Sequence, residues 1–380
     1  MARVAVSAPG KLILMGEHAV VYGRPALVAA VDLRLTVRIA PRTDRAILLD
    51  LPGLGHTEET SWEALRAYAH AARESWHAYS RQPSPDRFRA MQGADPAHLV
   101  KVALGEAAET LITPTLFSRP LPPPSPGEEG EKQGYLPGLS LRVESELPVG
   151  SGFGSSAATA VAVIAGALAC RGISLDLRQI EALALEVERR QHGLPSGVDS
   201  ATVLLGGLLW ARKLPSGGLE AERLAVSSPL LGRLRVYDTG APAESTGAVV
   251  AAVRARRDRD PAAHERLLNR IEAATRGFRA QLQRPAEDAA ATMELIRECH
   301  ACLAELGVVP EEVRALIRRV EAEGGAGKVS GAGSLTGPGA GSVLVYHPET
   351  ERIAAWPFLQ SLSFHSVHLG ADGLRRETDA

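Results

Sequence analysis

The sequence predicts an α+β protein with two domains. The chain has 380 residues, of which 45% are hydrophobic, enough for each of two domains to bury its own core. Segments that alternate between apolar and polar residues, as half-exposed strands do, are interspersed with segments of helical spacing. The composition changes after the loop at residues 214–218. We therefore place the domain boundary within residues 215–230 and assign residues 1–222 and 223–380 to the two domains.

In the first domain, the opening residues predict a strand, a turn at Pro9-Gly10 and a second strand. Residues 33–39 alternate strictly, which predicts a strand with one face in water. Residues 113–138 are dense in proline, glutamate and glycine, which favours a surface loop over a linker between domains. Further strands are predicted from residue 139 to an end at Pro148 and at residues 208–212, and helices at residues 61–79, 98–112, 155–170 and 177–191.

The second domain is predicted to be mainly helical at first and to end in strands. Residues 243–323 are rich in arginine and alanine with helical spacing, and strands are predicted at residues 342–347 and 361–368. No segment repeats with a period of about 20 to 50 residues, so a solenoid is not expected.

Composition and charge argue against several classes of protein. The net charge is −2 and the arginines are interspersed with acids, so nucleic acid is not an expected partner. The N-terminus lacks a long apolar region, and the apolar run at residues 157–170 is too short and too rich in alanine for a membrane span. A cytoplasmic protein without a membrane partner is expected. Cys299 and Cys302 are interpreted as helix positions near the core, since no second pair of metal ligands accompanies them.

The glycine-rich turn at residues 147–158 is the most informative segment. Alternate glycines allow close approach of a ligand to the backbone, and the N-terminus of the helix that follows favours a phosphate. Ser155 and Ser156 could cap this helix or bind a magnesium ion. A turn with an N-cap serine and no ligand is the alternative. A P-loop is excluded because Val329 follows Gly327-Lys328, and the dinucleotide fingerprint lacks its second parallel strand.

Three other segments carry polar residues beside glycines. Residues 8–23 contain Lys11, Glu17 and His18, and residues 324–333 offer a second glycine-rich backbone cradle. Glu188 lies near the end of a predicted helix and Asp199 follows a Pro-Ser-Gly turn, so two carboxylates could converge on one site. Each of these acids could instead be an ordinary solvated residue.

The segments at residues 9–23, 148–158 and 328–333 resemble, in this order, the three signature motifs of the galactokinase, homoserine kinase, mevalonate kinase and phosphomevalonate kinase (GHMP) superfamily. The versions at residues 16–23 and 192–199 are similar to those of mevalonate kinases. The resemblance implies an N-terminal ribosomal protein S5 domain 2-like fold and a C-terminal ferredoxin-like α/β sandwich, with the active site in the cleft between them.

The resemblance also implies ATP and Mg²⁺ as cofactors and phosphorylation of the 5-hydroxyl of mevalonate, a step of isoprenoid biosynthesis. It implies Asp199 as the base, assisted by Lys11, and Ser156 and Glu188 as metal ligands. The implied substrate contacts are Glu17, His18, Asp199 and Thr239. The implied phosphate contacts are Pro148, Gly150, Ser151, Gly152, Gly154, Ser155, Ser156, Ala157, Lys328, Gly331 and Gly333.

Three alternatives stay open. Phosphomevalonate kinase or another GHMP sugar kinase would share the ATP side, and a non-catalytic ligand sensor could be built on the same fold. Residues 334–341 depart from the family, since they interrupt the third motif before the strand that follows it. The sequence does not decide whether the protein forms a homodimer.

Overall fold

The computed structural model describes residues 2–92, 94–112, 136–148, 150–174 and 176–378. In chain order, strands β1 to β7 are Val4–Met15, Pro25–Pro41, Ile47–Leu51, His56–Thr60, Leu139–Ser145, Leu208–Lys213 and Leu219–Leu224. Strands β8 to β12 are Leu234–Asp238, Ala326–Val329, Ser342–Tyr346, Ser363–His365 and Arg375–Arg376. Helices α1 to α6 are Trp62–Arg81, Pro85–Gln92, His98–Ile112, Ser155–Cys170, Leu177–His192 and Val198–Leu205. Helices α7 to α11 are Thr246–Arg259, Pro261–Leu282, Ala289–Glu305, Glu311–Ala322 and Thr350–Ala354.

The first sheet is organised around the long strand β2. Its order is β12-β1-β2-β5-β3-β4, with β6 paired to β2 and β7 to β6. Strands β3 and β5 are parallel and the other pairs are antiparallel. In β2, Leu35, Val37 and Ile39 are buried while Arg38 is exposed, which confirms the predicted strand with one wet face.

Helix α4 lies at the centre of the first layer of helices, against β1 and β2 and beside α3, α5 and α6. It is built largely of alanine, valine and glycine and is buried nearly all round, as expected of a helix without a polar face. A Cβ at Gly166 would come within 3.2 Å of Ile39 Cδ1, so the small residue allows the helix to approach β2 closely. The glycine turn before α4 is thereby attached to a rigid element.

The second sheet has the order β11-β8-β10-β9, and all of its pairs are antiparallel. Helices α9 and α10 pack on β9, and α8 packs on α9. Within the described part of the chain, no helix is both long enough and apolar enough to cross a lipid bilayer.

The last described residues return to the first sheet. Strand β12 pairs with β1, and Leu369 forms an isolated bridge with Val31. Strand β7, which ends at Leu224, also belongs to the first sheet, whereas β8 starts the second. A division of the sequence at residues 222 and 223 stays a prediction.

The predicted turn at Pro9-Gly10 is wrong. Strand β1 continues through both residues, and the pairing with β2 shifts there, from Pro9 opposite Arg34 to Gly10 opposite Val31. Proline has no N–H to donate, so the irregular register accommodates it within a continuous strand. The hairpin of β3 and β4 and helices α2 and α6 were not predicted, and most of the proline-rich segment, residues 113–135, lies outside the described residues.

Candidate active site

The sequence-predicted motifs converge on a cavity of about 430 Å³. Its wall is formed by β1, the glycine turn before α4, the end of α5, the start of α6, and the loops after β8 and β9. Of the predicted site residues, those that line it are Lys11, His18, Gly150, Gly152, Gly154, Ser155, Ser156, Glu188, Asp199 and Gly331. The cavity therefore unites residues from all three motifs.

Lys11 and Asp199 form an ion pair in this cavity. Lys11 Nζ lies 3.1 Å from Asp199 Oδ2; the lysine side chain is only 5% exposed, whereas that of the aspartate is 32% exposed. Strand β1 positions the lysine, whose backbone N–H donates to Phe153 O at 2.8 Å. Asp199 lies in the first turn of α6. The pair thus joins a buried cation to a carboxylate that a ligand can still reach.

The glycine turn makes room for the lysine side chain. Gly154 has a φ of 73°, in the left-handed region, and a Cβ there would lie 2.7 Å from Lys11 Cγ. Because no side chain caps α4, the N–H groups of its first turn are open to an anion, which the positive end of the helix dipole also favours. The turn is therefore a suitable cradle for phosphate.

Glu188 is a buried acid beside Asp199. Burial, and then the neighbouring charge of Asp199, raise the pKa of Glu188 to about 8. Ser200 Oγ donates a hydrogen bond to Glu188 Oε1. With Ser156, which also lines the cavity, these acids form a set of hard oxygen donors that suits Mg²⁺. A divalent cation among them would offset the unfavourable proximity of two carboxylates, so the residues fit the implied metal.

His192 is a site residue to which the sequence analysis gave no role. Its Nε2 lies 3.0 Å from Ser156 Oγ, and its Nδ1 is buried without a hydrogen-bond partner among the described residues. Burial lowers the pKa of His192, which favours the neutral ring.

Glu17 and Lys328 do not line the cavity. Both side chains are fully buried, and they form an ion pair in which Lys328 Nζ also donates to Val329 O at 2.8 Å. Cys299 Sγ contacts the second oxygen of Glu17 at 3.8 Å. Burial raises the pKa of Glu17. The pair ties the segment after β1 to β9 of the second sheet, and it leaves the ammonium group no access to a ligand in the cavity.

His18, which follows Glu17 in sequence, lines the cavity. It is the only non-glycine residue with a positive φ, 57°, in the described part of the chain. Its Nε2 lies 2.9 Å from Ala332 O, and burial lowers the pKa of the ring to about 4. The ring is therefore neutral near pH 7 and can exchange hydrogen bonds with a ligand without adding charge.

Thr239 also lies outside the cavity lining. Its hydroxyl donates to Gly341 O at 2.8 Å and accepts from Ala340 N at 2.9 Å, so it holds the segment at residues 334–341 in place. Four further residues that were predicted to contact phosphate are absent from the cavity lining, namely Pro148, Ser151, Ala157 and Gly333.

The segment at residues 334–341 is held by Glu244, which lines the cavity. The carboxylate accepts hydrogen bonds from Ser334 Oγ at 2.6 Å and from Leu335 N at 2.9 Å, and also from Thr336. Burial acts to raise the pKa of Glu244, but these hydrogen bonds outweigh it and hold the pKa below its usual value. Glu244 is therefore ionised at neutral pH and places negative charge on this side of the cavity.

The start of α7 lines another part of the cavity, and it carries Ser245-Thr246, a pair that resembles part of the family's substrate-side loop. Ser245 caps α7 by accepting from Ala248 N at 3.4 Å, and Thr246 and Gly247 open that helix at the cavity. The Ser-Thr pair before an alanine-rich helix was an available N-cap signal. Apolar side chains complete the wall: Ile13, Val20, Val21, Leu194, Pro195 and Val250.

Comparisons with known proteins agree with this arrangement. Residues 128–207 match the family model of the GHMP kinases N terminal domain. Mevalonate kinase from Homo sapiens is 31% identical over an alignment of 398 positions, gaps included, which covers 97% of this chain and 93% of that protein. Mevalonate kinase from Bos taurus is 30% identical, with 94% and 89% covered.

Solved structures show the same fold. The Methanococcus jannaschii mevalonate kinase has a TM-score of 0.70 at 17% identity and covers 97% of this chain and 98% of its own. Streptococcus pneumoniae phosphomevalonate kinase in complex with phosphomevalonate and AMPPNP has a TM-score of 0.64 at 15% identity, with 98% and 100% covered. The predicted two-domain GHMP kinase fold is confirmed. Because it is 30% and 31% identical to the bovine and human mevalonate kinases over most of its length, the chain belongs to the mevalonate kinase family and is a kinase.

Proposed function

We propose that the protein transfers the γ-phosphoryl group of ATP to the 5-hydroxyl of mevalonate in a magnesium-dependent reaction. The observation that carries this proposal is the Lys11–Asp199 ion pair, at 3.1 Å, beside a helix N-terminus in one cavity. A carboxylate next to a buried cation is suited to accept a proton from an alcohol, and the helix N-terminus is suited to hold phosphates.

Asp199 would accept the proton of the substrate hydroxyl as that oxygen attacks phosphorus. Lys11 would stabilise the negative charge that develops on the attacking oxygen, and its ammonium group is already fixed in position by the ion pair. General base catalysis by a positioned side chain contributes about 10² to 10⁴ in rate.

The nucleotide phosphates would lie on the turn formed by Gly150, Gly152 and Gly154 and on the first turn of α4. Ser156 and Glu188 would hold the magnesium ion, which supplies charge neutralisation on the β- and γ-phosphates when bound. Gly331 lines the cavity beside this turn, since a Cβ on Gly331 would lie 3.9 Å from Gly152 Cα.

The rest of the cavity suits a small branched hydroxy acid. The apolar wall around Val20 and Val250 can contact the methyl and methylene groups of mevalonate, and Thr246 and neutral His18 can exchange hydrogen bonds with its polar groups. This wall therefore offers both the apolar contacts and the hydrogen bonds that recognition of mevalonate requires.

Phosphomevalonate fits the cavity less well because of its additional negative charge. Lys11 is the only lysine or arginine that lines the cavity in the described part of the chain, and it is already paired with Asp199. Ionised Glu244 would repel a phosphate close to α7. The charge distribution therefore favours mevalonate over the phosphorylated substrate.

ADP release with ATP and Mg²⁺ in the presence of mevalonate, phosphomevalonate, galactose or homoserine tests this proposal. We expect turnover selective for mevalonate. Turnover on another of the four compounds would retain the kinase but overturn the substrate assignment. Silence on all four would contradict the proposed reaction and favour a ligand sensor.

Gly154→Ala is expected to lower turnover at least about tenfold relative to Gly150→Ala. The two glycines have φ values of 73° and 76°, so the backbone strain is matched. A Cβ at residue 154 would meet Lys11 Cγ at 2.7 Å, whereas at residue 150 the nearest atom is Ala241 Cβ at 3.7 Å. Displacing the lysine should impair the chemistry directly.

Steady-state kinetics of the two purified variants, with circular dichroism to confirm folding, checks this prediction. Equal losses in both variants would show that backbone strain alone matters and that the contact between Gly154 and the lysine does not position the ammonium group.

A further inference from the structure

Both side chains that would hold the magnesium ion are themselves held by one short stretch of chain. Ser156 contacts His192, and Glu188 contacts Ser200. These two partners lie at either end of residues 192–200, the segment that also carries Asp199. Neither His192 nor Ser200 has a role in the reaction proposed above.

The His192–Ser156 contact is well suited to orient a metal ligand. With the proton of the neutral ring on Nδ1, Nε2 of His192 accepts the single hydrogen of the Ser156 hydroxyl, which leaves both oxygen lone pairs of the serine free for a cation. Among the described residues, Nδ1 of this ring has no hydrogen-bond partner, so the ring's polar contact is the one with Ser156. The contact therefore fixes the direction in which Ser156 Oγ presents its lone pairs.

Ser200 plays the matching part for Glu188. Its side chain is fully buried and its hydroxyl donates to Oε1 of the carboxylate, which is itself only 3% exposed. The backbone of Ser200 also forms a hydrogen bond with this carboxylate. The carboxylate is thus held in a single orientation inside a site that water enters poorly.

We propose that His192 and Ser200 are positioning residues that aim Ser156 and Glu188 at the magnesium ion of the bound nucleotide. This inference rests on the proposed function, because it presupposes that Ser156 and Glu188 are the metal ligands. Residues that orient metal ligands in this way typically change metal affinity about 10- to 100-fold when removed. The segment at residues 192–200 then supplies both the base and the supports of the metal site.

The test measures how much Mg²⁺ improves the binding of AMPPNP, by isothermal titration calorimetry with and without the metal. For His192→Leu and for Ser200→Ala we expect this gain to fall about tenfold, while binding without Mg²⁺ stays within about twofold of the wild type. His192→Gln, whose side-chain oxygen can accept the serine hydrogen, should recover much of the gain. If His192→Leu lowered the gain only by disturbing the packing, the hydrogen-bond acceptor of glutamine would not recover it.

Thr202→Val is the matched control. Thr202 is a fully buried hydroxyl on the same helix as Ser200, but it donates to Val198 O at 2.7 Å and contacts neither metal ligand. Its removal should leave the Mg²⁺-dependent gain unchanged. Thermal melts of all variants identify any that fail to fold, and His192→Gln and Ser200→Cys provide milder replacements in that case.

The double variant Ser156→Ala/His192→Leu, together with the single variants, distinguishes failure of the positioning roles from failure of the proposed metal site. If His192 acts through Ser156, adding His192→Leu to Ser156→Ala should cause no further loss. If Ser156→Ala lowers the gain but His192→Leu and Ser200→Ala do not, the positioning roles are overturned and the proposed metal site stands. If neither Ser156→Ala nor Glu188→Gln lowers it, the metal site itself is overturned, and the positioning roles with it.

Discussion

Asp199→Asn is expected to lower kcat by about 10³-fold and to leave the folded state nearly as stable as before. Asparagine has the same shape but cannot take the proton of the substrate hydroxyl. The side chain is 32% exposed at the first turn of α6, so its replacement removes little packing. In this variant the charge of Asp199 no longer raises the pKa of Glu188, and Lys11 favours the ionised form of that acid, so Glu188 can serve as a counter-charge for the buried lysine.

Steady-state kinetics and thermal melts of the purified variant check both halves of this prediction. Asp176→Ala is a control for which the opposite result is expected. It removes the capping box of α5, outside the cavity lining. It should lower stability by about 1 kcal/mol and leave kcat unchanged. Near-full turnover of Asp199→Asn would exclude the carboxylate as the base.

Lys328→Met is expected to lower the free energy of unfolding by about 3–5 kcal/mol. The substitution leaves the carboxylate of Glu17 without a counter-charge at a position that is fully buried. The double variant Glu17→Leu/Lys328→Met should recover part of the loss, because two apolar side chains need no partner in that environment.

Urea unfolding followed by circular dichroism measures these changes. Arg212→Ala serves as the control, since it breaks an ion pair with Glu220 in which both side chains are about half exposed, and it should cost less than about 1 kcal/mol. A Lys328→Met protein of normal stability that binds ATP weakly would restore the role in phosphate binding that the sequence had predicted for this lysine.

The parts of the fold and site that could be predicted were those with local signals. Short stretches of sequence are enough to recognise the alternation in β2, the alanine-rich helix α4 and the glycine turn before it. Lys11 and Asp199 could be predicted because they stand in motifs that resemble a known family, and the structure brings them within 3.1 Å of each other.

The rest depended on contacts between distant segments. Lys328 follows glycines, which suggested a phosphate ligand, but only the fold shows that it is buried against Glu17, more than 300 residues away in sequence. Thr239 and Thr246 are equally polar in sequence, but the first is hydrogen-bonded to residues 340 and 341 whereas the second lines the cavity. Burial and pairing of this kind leave no local pattern.

The pairing of β12 with β1 has a consequence for biosynthesis. On the ribosome, β1 is synthesised long before Arg375 and Arg376 of β12, with which it pairs. Arg34, on β2, donates hydrogen bonds to the carbonyl oxygens of Asp372 and Gly373 at 2.9 and 2.8 Å, and these bonds too can form only after both residues have been synthesised. Until then one edge of the nascent first sheet is open to pairing with other chains. Strands β1 and β2 are therefore synthesised well before the strand that completes this edge of their sheet.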